Sequence, residues 1–344
     1  KYYFVIGADG LPLPPPRATT PQRIVFAPDP QQIADASQAW DWPRGSVRLP
    51  GVAVADVEGD GDLDLLLTGQ GANGTAQILL NDGSGQFTRG ATVADGAVCP
   101  CFGDIDNDGD VDLWLGRAGA DQMLLNDGKG VFTPSTAAGI AGPDTLTQLA
   151  RLSDVDSDGD LDLLAFRCAA GDVPMSGAKA QPAPSSVFFN NADGTFVDRA
   201  ADLSLQFADT PVAAVAYDDF DNDFDLDLVV FPAAAAPVAW MNFRVGQFRA
   251  IPGADIGLAL QAVISATTGD PDKDGDRDLL IFTPDGVRLF LNNGHFAFEE
   301  LATFAASVGR LGGTGGQFAD LDNDSDLDVV IADAKRADGS RGPA

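Results

Sequence analysis

Nine residues, repeated, carry the chemistry of this chain. In Asp104-Ile-Asp-Asn-Asp-Gly-Asp-Val-Asp112, acidic side chains stand at positions 1, 3, 5, 7 and 9, and variants of the phrase begin at Asp56, Asp104, Asp154, Asp219, Asp270 and Asp320. Carboxylates this dense repel one another unless a cation sits among them. Hard oxygen donors at odd offsets around a tight turn are what calcium selects. The candidate ligands are Asp56, Glu58, Asp60, Asp62 and Asp64 in loop one, and Asp104, Asp106, Asp108, Asp110 and Asp112 in loop two. Loop three offers Asp154, Asp156, Asp158, Asp160 and Asp162; loop four offers Asp219, Asp221, Asp223, Asp225 and Asp227. Loop five has Asp270, Asp272, Asp274, Asp276 and Asp278, and loop six has Asp320, Asp322, Asp324, Asp326 and Asp328. Positions 1, 3, 5 and 9 are expected to supply carboxylate oxygens and position 7 its backbone carbonyl. Gly at position 6 permits the sharp turn.

An EF-hand opens the same way but needs a bidentate Glu at position 12 and a following helix. Position 12 here is Leu67, Leu115, Ala165, Val230, Ile281 and Ile331, all apolar, so that reading is rejected. The six loops differ among themselves. Loops two and three are the cleanest. Glu58 adds a methylene in loop one, and Pro271, Lys273 and Arg277 lower the local charge of loop five. Phe224 and Ser325 replace the position-6 glycine in loops four and six. Loop four is therefore expected to be the weakest of up to six calcium sites.

The spacing of the loops tells what must hold them. Successive copies are 48, 50, 65, 51 and 50 residues apart, a period that marks a repeat architecture. Within each period an apolar run such as Val212-Ala-Ala-Val-Ala216 precedes the acidic loop. A β-rich run such as Leu226-Asp-Leu-Val-Val230 follows it. A third run, such as Gln122-Met-Leu-Leu125, ends in an Asn/Asp/Gly turn at Asn81–Gly83, Asn126–Gly128 or Asn292–Gly294. Those residues tolerate the positive φ of tight hairpins. A fourth strand is expected to carry Phe87, Phe132, Phe196, Phe248 or Phe296. Four antiparallel strands per period predict an all-β chain, a β-propeller of six calcium-loop blades with six or seven blades in all. Residues 1–344 are expected to form one domain: residues 47–344 the six repeats, residues 1–46 closing strands around a Pro-rich segment. Tyr2–Ile6 and Arg23–Phe26 are the strands available to complete the last blade. Residues 168–186 read as a surface insertion in blade three.

Charge and composition exclude several functions. The six loops hold 30 of the 51 Asp and Glu, and the remaining 21 match the 21 Lys and Arg, so the net charge of −30 belongs to the loops. Nucleic acid, which needs clustered cations, is excluded as a partner. With 45% apolar residues in regular runs the chain is not a disordered acidic polymer, and no run approaches a membrane span. Cys99, Cys101 and Cys168 form neither a disulfide framework nor a zinc pattern. Buried inert thiols are expected, with one disulfide from Cys168 to Cys99 or Cys101 as the alternative. The single His295 lies in a hairpin turn between Gly294 and Phe296 and reads as an exposed turn residue, so the chain is not expected to be an enzyme. Asn73-Gly-Thr75 is a glycosylation sequon in a loop.

The six acidic loops, the Leu-rich strand after each, the Asn-Asp-Gly hairpins with their Phe, and Phe102-Gly103 before loop two together resemble the FG-GAP/VCBS repeats best known from integrin α-subunit heads. Phe318-Ala319 before loop six matches too. The resemblance covers residues 47–331. It implies calcium between the first and second strands of each blade, on one rim of a seven-bladed disc, with ligands on the opposite rim. Phe224 and Ser325 depart from it. The expected role is an extracellular or periplasmic, calcium-stabilised module for protein interaction, adhesion or assembly. A carbohydrate-binding propeller is the alternative, with Trp40, Trp42 and Trp240 as contacts, and a polysaccharide-active enzyme domain is the third reading. The partner is expected to be another protein or a surface glycan, and the start at Lys1 suits a piece of a larger chain.

Overall fold

The computed structural model describes residues 2–4, 51–70, 75–83, 86–117, 119–135, 145–169, 185–192, 195–203, 212–233, 235–243, 247–304, 315–319 and 327–332. Arg23–Phe26, the Pro-rich segment, Trp40, Trp42, Asn73, most of the insertion, and Asp320, Asp322, Asp324, Ser325 and Asp326 lie outside them.

Every described strand obeys the predicted period. After β1 (Tyr2–Phe4) come β2 (Val52–Ala55), β3 (Asp64–Gln70), β4 (Thr75–Asn81) and β5 (Phe87–Ala94), forming one antiparallel sheet in that order. The second sheet is β6 (Ala97–Gly103), β7 (Asp112–Arg117), β8 (Gln122–Leu125) and β9 (Thr133–Pro134). The third is β10 (Thr145–Ser153), β11 (Asp162–Ala169), β12 (Ser186–Asn190) and β13 (Phe196–Asp198). The fourth is β14 (Val212–Asp218), β15 (Asp227–Pro232), β16 (Val238–Asn242) and β17 (Phe248–Pro252). The fifth is β18 (Ser265–Gly269), β19 (Asp278–Thr283), β20 (Gly286–Asn292) and β21 (Phe298–Glu300). In the sixth, β22 (Gly315–Ala319) pairs with β23 (Asp328–Ala332), and β1 adds to β23 with Tyr2 opposite Ile331. An N-terminal strand thus contributes to the last sheet, as expected.

The acidic loop is the hairpin connection of every sheet. The residue before each loop pairs with its position-9 aspartate: Ala55 with Asp64, Gly103 with Asp112, Ser153 with Asp162, Asp218 with Asp227, Gly269 with Asp278 and Ala319 with Asp328. The second strands β7, β15 and β19 are buried along nearly their whole length, which is why they read as unbroken apolar runs such as Leu-Leu-Ile-Phe in β19. Fourth strands are short or exposed.

Contacts group the chain into two compact units, one of residues 27–211 and one of residues 1–26 with 212–344. In the first, Val57, Leu66 and Ile78 pack against Leu113, Leu115 and Leu124 between the first two sheets. Ile105, Trp114 and Met123 pack against Leu163, Phe188 and Phe196 between the next two. In the second unit, Phe220, Val229 and Phe231 meet Leu279, Phe296 and Phe298, and Leu280, Phe282 and Leu289 meet Phe318 and Val329. Each blade thus buries its face only against a neighbour, the physics of a stacked repeat.

Two strand assignments need correction. Phe132 lies just before β9, which begins at Thr133. Phe298, not Phe296, opens the fourth strand of blade five. Phe296 sits in the preceding turn at φ 58° and packs edge-on against Phe220, ring centroids 5.4 Å apart.

Candidate metal centre

The loops are pinned at two points. Position 2 is an apolar anchor: Val57, Ile105, Val155 and Phe220 are buried in the sheet cores. Position 9 is a buried aspartate at the start of the second strand in loops one to five: Asp64, Asp112, Asp162, Asp227 and Asp278. In four loops its Oδ2 accepts the backbone N–H of position 2: Val57 to Asp64 at 3.0 Å, Ile105 to Asp112 at 2.9 Å, Val155 to Asp162 at 2.8 Å and Phe220 to Asp227 at 3.1 Å. Its Oδ1 accepts the N–H of the asparagine ending the third strand, Asn81, Asn126, Asn190, Asn242 or Asn292, at 2.8–2.9 Å. Inside the turn, the position-1 carboxylate takes the N–H of positions 5 and 6, as Asp104 does from Asp108 and Gly109. The position-5 carboxylate takes that of position 7, as Asp108 does from Asp110. Such a nest requires left-handed backbone. Position 6 has φ 93–97° at Gly109, Gly159, Gly61 and Gly275 and 72° at Phe224, and position 4 is also positive in the five described loops, from 59° at Asn107 to 71° at Gly59.

This wrapping brings carboxylates together. Asp104, Asp106 and Asp108 offer oxygens within 4.8 Å of one another; so do Asp154, Asp156 and Asp162; Asp219, Asp221 and Asp227; and Asp270, Asp272 and Asp278. At position 3, Oδ1 of Asp106, Asp156, Asp221 and Asp272 is buried and accepts no hydrogen bond. A buried carboxylate oxygen without a donor is costly. A cation bound by oxygen alone satisfies it, so the donor set fits calcium. The electrostatics agree. Burial, followed by neighbouring carboxylates, pushes Asp221 up to about 6. Burial likewise raises Asp162 to about 7 and Asp227 and Asp278 to about 8, although backbone N–H donors oppose it.

The predicted ligands do not all behave alike. Among the described residues, loop one shows no such convergence; its Glu58 reaches none of the clusters, and burial raises its carboxyl. Loop four, expected to be weakest, converges like loops three and five, because Phe224 accepts the positive φ with its ring 89% exposed and its N–H still donates to Asp219. The position-7 side chains turn away from the centres. Asn107 donates to Asp160 at 2.5 Å and Asn222 to Asp276 at 2.7 Å, tying loop to loop between adjacent blades. Asp62, Asp110 and Asp276 lie against hairpin glycines Gly83, Gly128 and Gly294, where a Cβ would come within 2.5–2.6 Å of a carboxylate oxygen. Asp328 starts β23, and the rest of loop six lies outside the described residues.

Two features escaped the sequence reading. The third-strand asparagines are more than turn formers: Asn126 Nδ2 donates to Val57 O of the preceding blade, Asn190 to Ile105 O and Asn292 to Phe220 O, at 2.7–2.8 Å. The turn's positive φ belongs to Gly83, Gly128 and Gly294. Their recurrence at the end of every third run was the available signal. The second is a buried ion pair between Arg167 and Asp121, 3.0 Å apart. Arg167 also donates to Thr147 at 3.2 Å and to Ser186, and Thr147 donates to Asp121. Separations of 20 and 46 residues gave no local signal. His295 is exposed in its turn, and Trp240 is half-buried in β16 rather than on a loop. Cys99 and Cys101 are free thiols, Cys99 buried.

The FG-GAP-like repeat family matches residues 56–115, 104–165 and 270–331, together half of the chain. The chain belongs to the FG-GAP-like repeat family. Each matched FG-GAP segment runs from the first aspartate of one loop into the second strand of the next blade, and the segment 104–165 holds the Asn107–Asp160 contact between two loops. A lectin from Agrocybe aegerita, whose structure is described as recognising non-reducing terminal N-acetylglucosamine, is similar in fold. Its TM-score is 0.52 at 19% identity, covering 82% of this chain and 74% of that one. BBS1N in complex with ARL6DN is more distant, with a TM-score of 0.39 at 10% identity over 85% of this chain and 90% of that one. No curated protein matches the chain. Among the described residues no helix is long and apolar enough to cross a membrane.

Proposed function

We propose that this chain is a calcium-stabilised β-propeller that serves as a binding module outside the cytoplasm, its partner a protein or a surface glycan. The carrying observation is the repeated set of buried carboxylates with an unpartnered position-3 oxygen, placed where a cation would join the two ends of a blade's first hairpin. Calcium bound there would offset two of the five negative charges of each loop and hold the blades. Loops of this kind bind at affinities suited to external calcium, which supports an extracellular or periplasmic place. On this reading all residues form one domain of six or seven blades closed by the N-terminal strand, and the chain binds rather than catalyses. A protein partner in adhesion or assembly is the first reading. Glycan binding is the second, favoured by the fold shared with a lectin.

A glycan array probed with the whole chain in calcium separates the two. Saturable binding competed by free sugar would establish the glycan reading and sink the protein-only one. An empty array, with capture of a defined protein from a native extracellular fraction that chelation abolishes, would support the protein reading. Turnover of polysaccharide lost on substituting a carboxylate outside the loops would overturn both.

A further inference from the structure

Among the five described loops, loop five is built differently. Pro271 occupies position 2 and has no N–H to give. The bond that holds the position-9 Oδ2 at 2.8–3.1 Å in loops one to four is therefore missing. Asp278 Oδ1 still accepts from Asn292 at 2.8 Å, but its Oδ2 is buried with no hydrogen bond, in a residue with 0% exposure. Asp270 Oδ1 and Asp272 Oδ1 are orphaned in the same way. In loops two and three only the position-3 oxygen is. The three residues with orphaned oxygens are the three whose carboxylates converge within 4.8 Å.

We infer that loop five, with Asp278 as a direct ligand, is the tightest calcium site among the five described loops. The inference rests on the calcium reading of the loops. A cation gains affinity from whatever strain its binding relieves, since only the difference between bound and free states counts. Loop five without a cation holds three buried oxygens lacking donors; loops two and three hold one each. In loops one to four the position-9 Oδ2 divides its electron density between an N–H and any ion. Arg277 opposes cation binding least where its charge is already engaged, and it pairs with Asp218 at 3.3 Å. The lower formal charge of loop five is thus outweighed by its unsatisfied oxygens.

The test is calorimetric titration of the stripped full-length chain with calcium chloride. Asp272→Asn should abolish the tightest phase, while Asp156→Asn removes a weaker one. Pro271→Val restores the residue found at position 2 of loops one and three and should weaken the tightest phase about tenfold, the worth of one charged hydrogen bond. Val155→Pro should strengthen the loop-three phase; it also keeps the idea testable if Pro271→Val unfolds. A tightest phase that survives Asp272→Asn, or that Pro271→Val leaves unchanged in a folded chain, overturns the inference. No calcium binding by the unsubstituted chain would instead defeat the calcium reading itself.

Discussion

The side-chain amide of Asn126 donates to the backbone carbonyl of Val57 at 2.8 Å, across 69 residues of sequence and from one blade to the loop of the blade before it. The same amide donates to Val111 O at 3.1 Å, while its oxygen receives the N–H of Asp127 and Gly130. One buried side chain thus closes a hairpin and fastens it to its neighbour. Asn126→Ala should destabilise by about 1–3 kcal/mol, because it leaves buried carbonyls without donors. Asn126→Asp keeps the acceptor and loses the donor, so it should cost at least as much. Denaturant unfolding of both variants checks this; an unaffected Asn126→Asp variant would show that the link between blades contributes nothing.

The Arg167–Asp121 pair is buried on both sides, 2% and 1% exposed. Arg167→Met strands the Asp121 carboxylate and should cost about 3–5 kcal/mol. Replacing both, as Arg167→Met with Asp121→Leu, should cost clearly less than the sum of the singles. A double-mutant cycle in urea reads the coupling, and additive losses would contradict it.

Phe224 holds φ at 72° with its ring almost wholly in solvent. Phe224→Gly should therefore stabilise the calcium-loaded chain by up to about 1 kcal/mol, relieving left-handed strain at little loss of burial. A measured loss would mean that the ring has a partner in the folded state.

Asp162, Asp227 and Asp278 are raised by burial to about 7, 8 and 8, against about 4 in the unfolded chain. Folded protein then holds protons that unfolded protein has lost, so their contribution is complete below about pH 4 and is lost as pH rises toward 7–8. Stripped of calcium, the chain should melt lower at pH 8 than at pH 5.5. Saturating calcium should reverse or flatten that slope, because the ion takes the place of the protons. Melting curves at the two pH values, with and without calcium, check both halves.

Much of the fold was legible, for reasons visible in particular residues. The short apolar runs flanking each acidic phrase, and the apolar position 12, mark the loops as hairpins. Leu-Val-Val-Phe in β15 announced a strand covered on both faces. What stayed hidden was the division of labour among identical letters. The acidic residues of a phrase look equivalent, yet position 9 is fixed by backbone donors, and position 7 of loops three and five accepts from the loop before it. Loop four was ranked by its missing glycine, but an exposed Phe tolerates that φ, while a proline without an N–H at position 2 is what changes a site. Phe296 was mistaken for a strand residue because the turn of blade five carries a second phenylalanine. Counting six residues on from each third-strand asparagine gives Phe87, Phe132, Phe196, Phe248 and Phe298, which open the fourth strand in each of the first five sheets but the second, where Phe132 immediately precedes β9.

Thermal unfolding of the whole chain before and after chelation tests the central claim that cations among these carboxylates hold the blades together. A site filled at a hundredfold excess over its dissociation constant contributes about 2.7 kcal/mol, and several filled sites multiply that. EDTA should lower the melting temperature by well over ten degrees, and excess calcium, but not equal magnesium, should restore it. A melting temperature that chelation leaves unchanged would contradict the account.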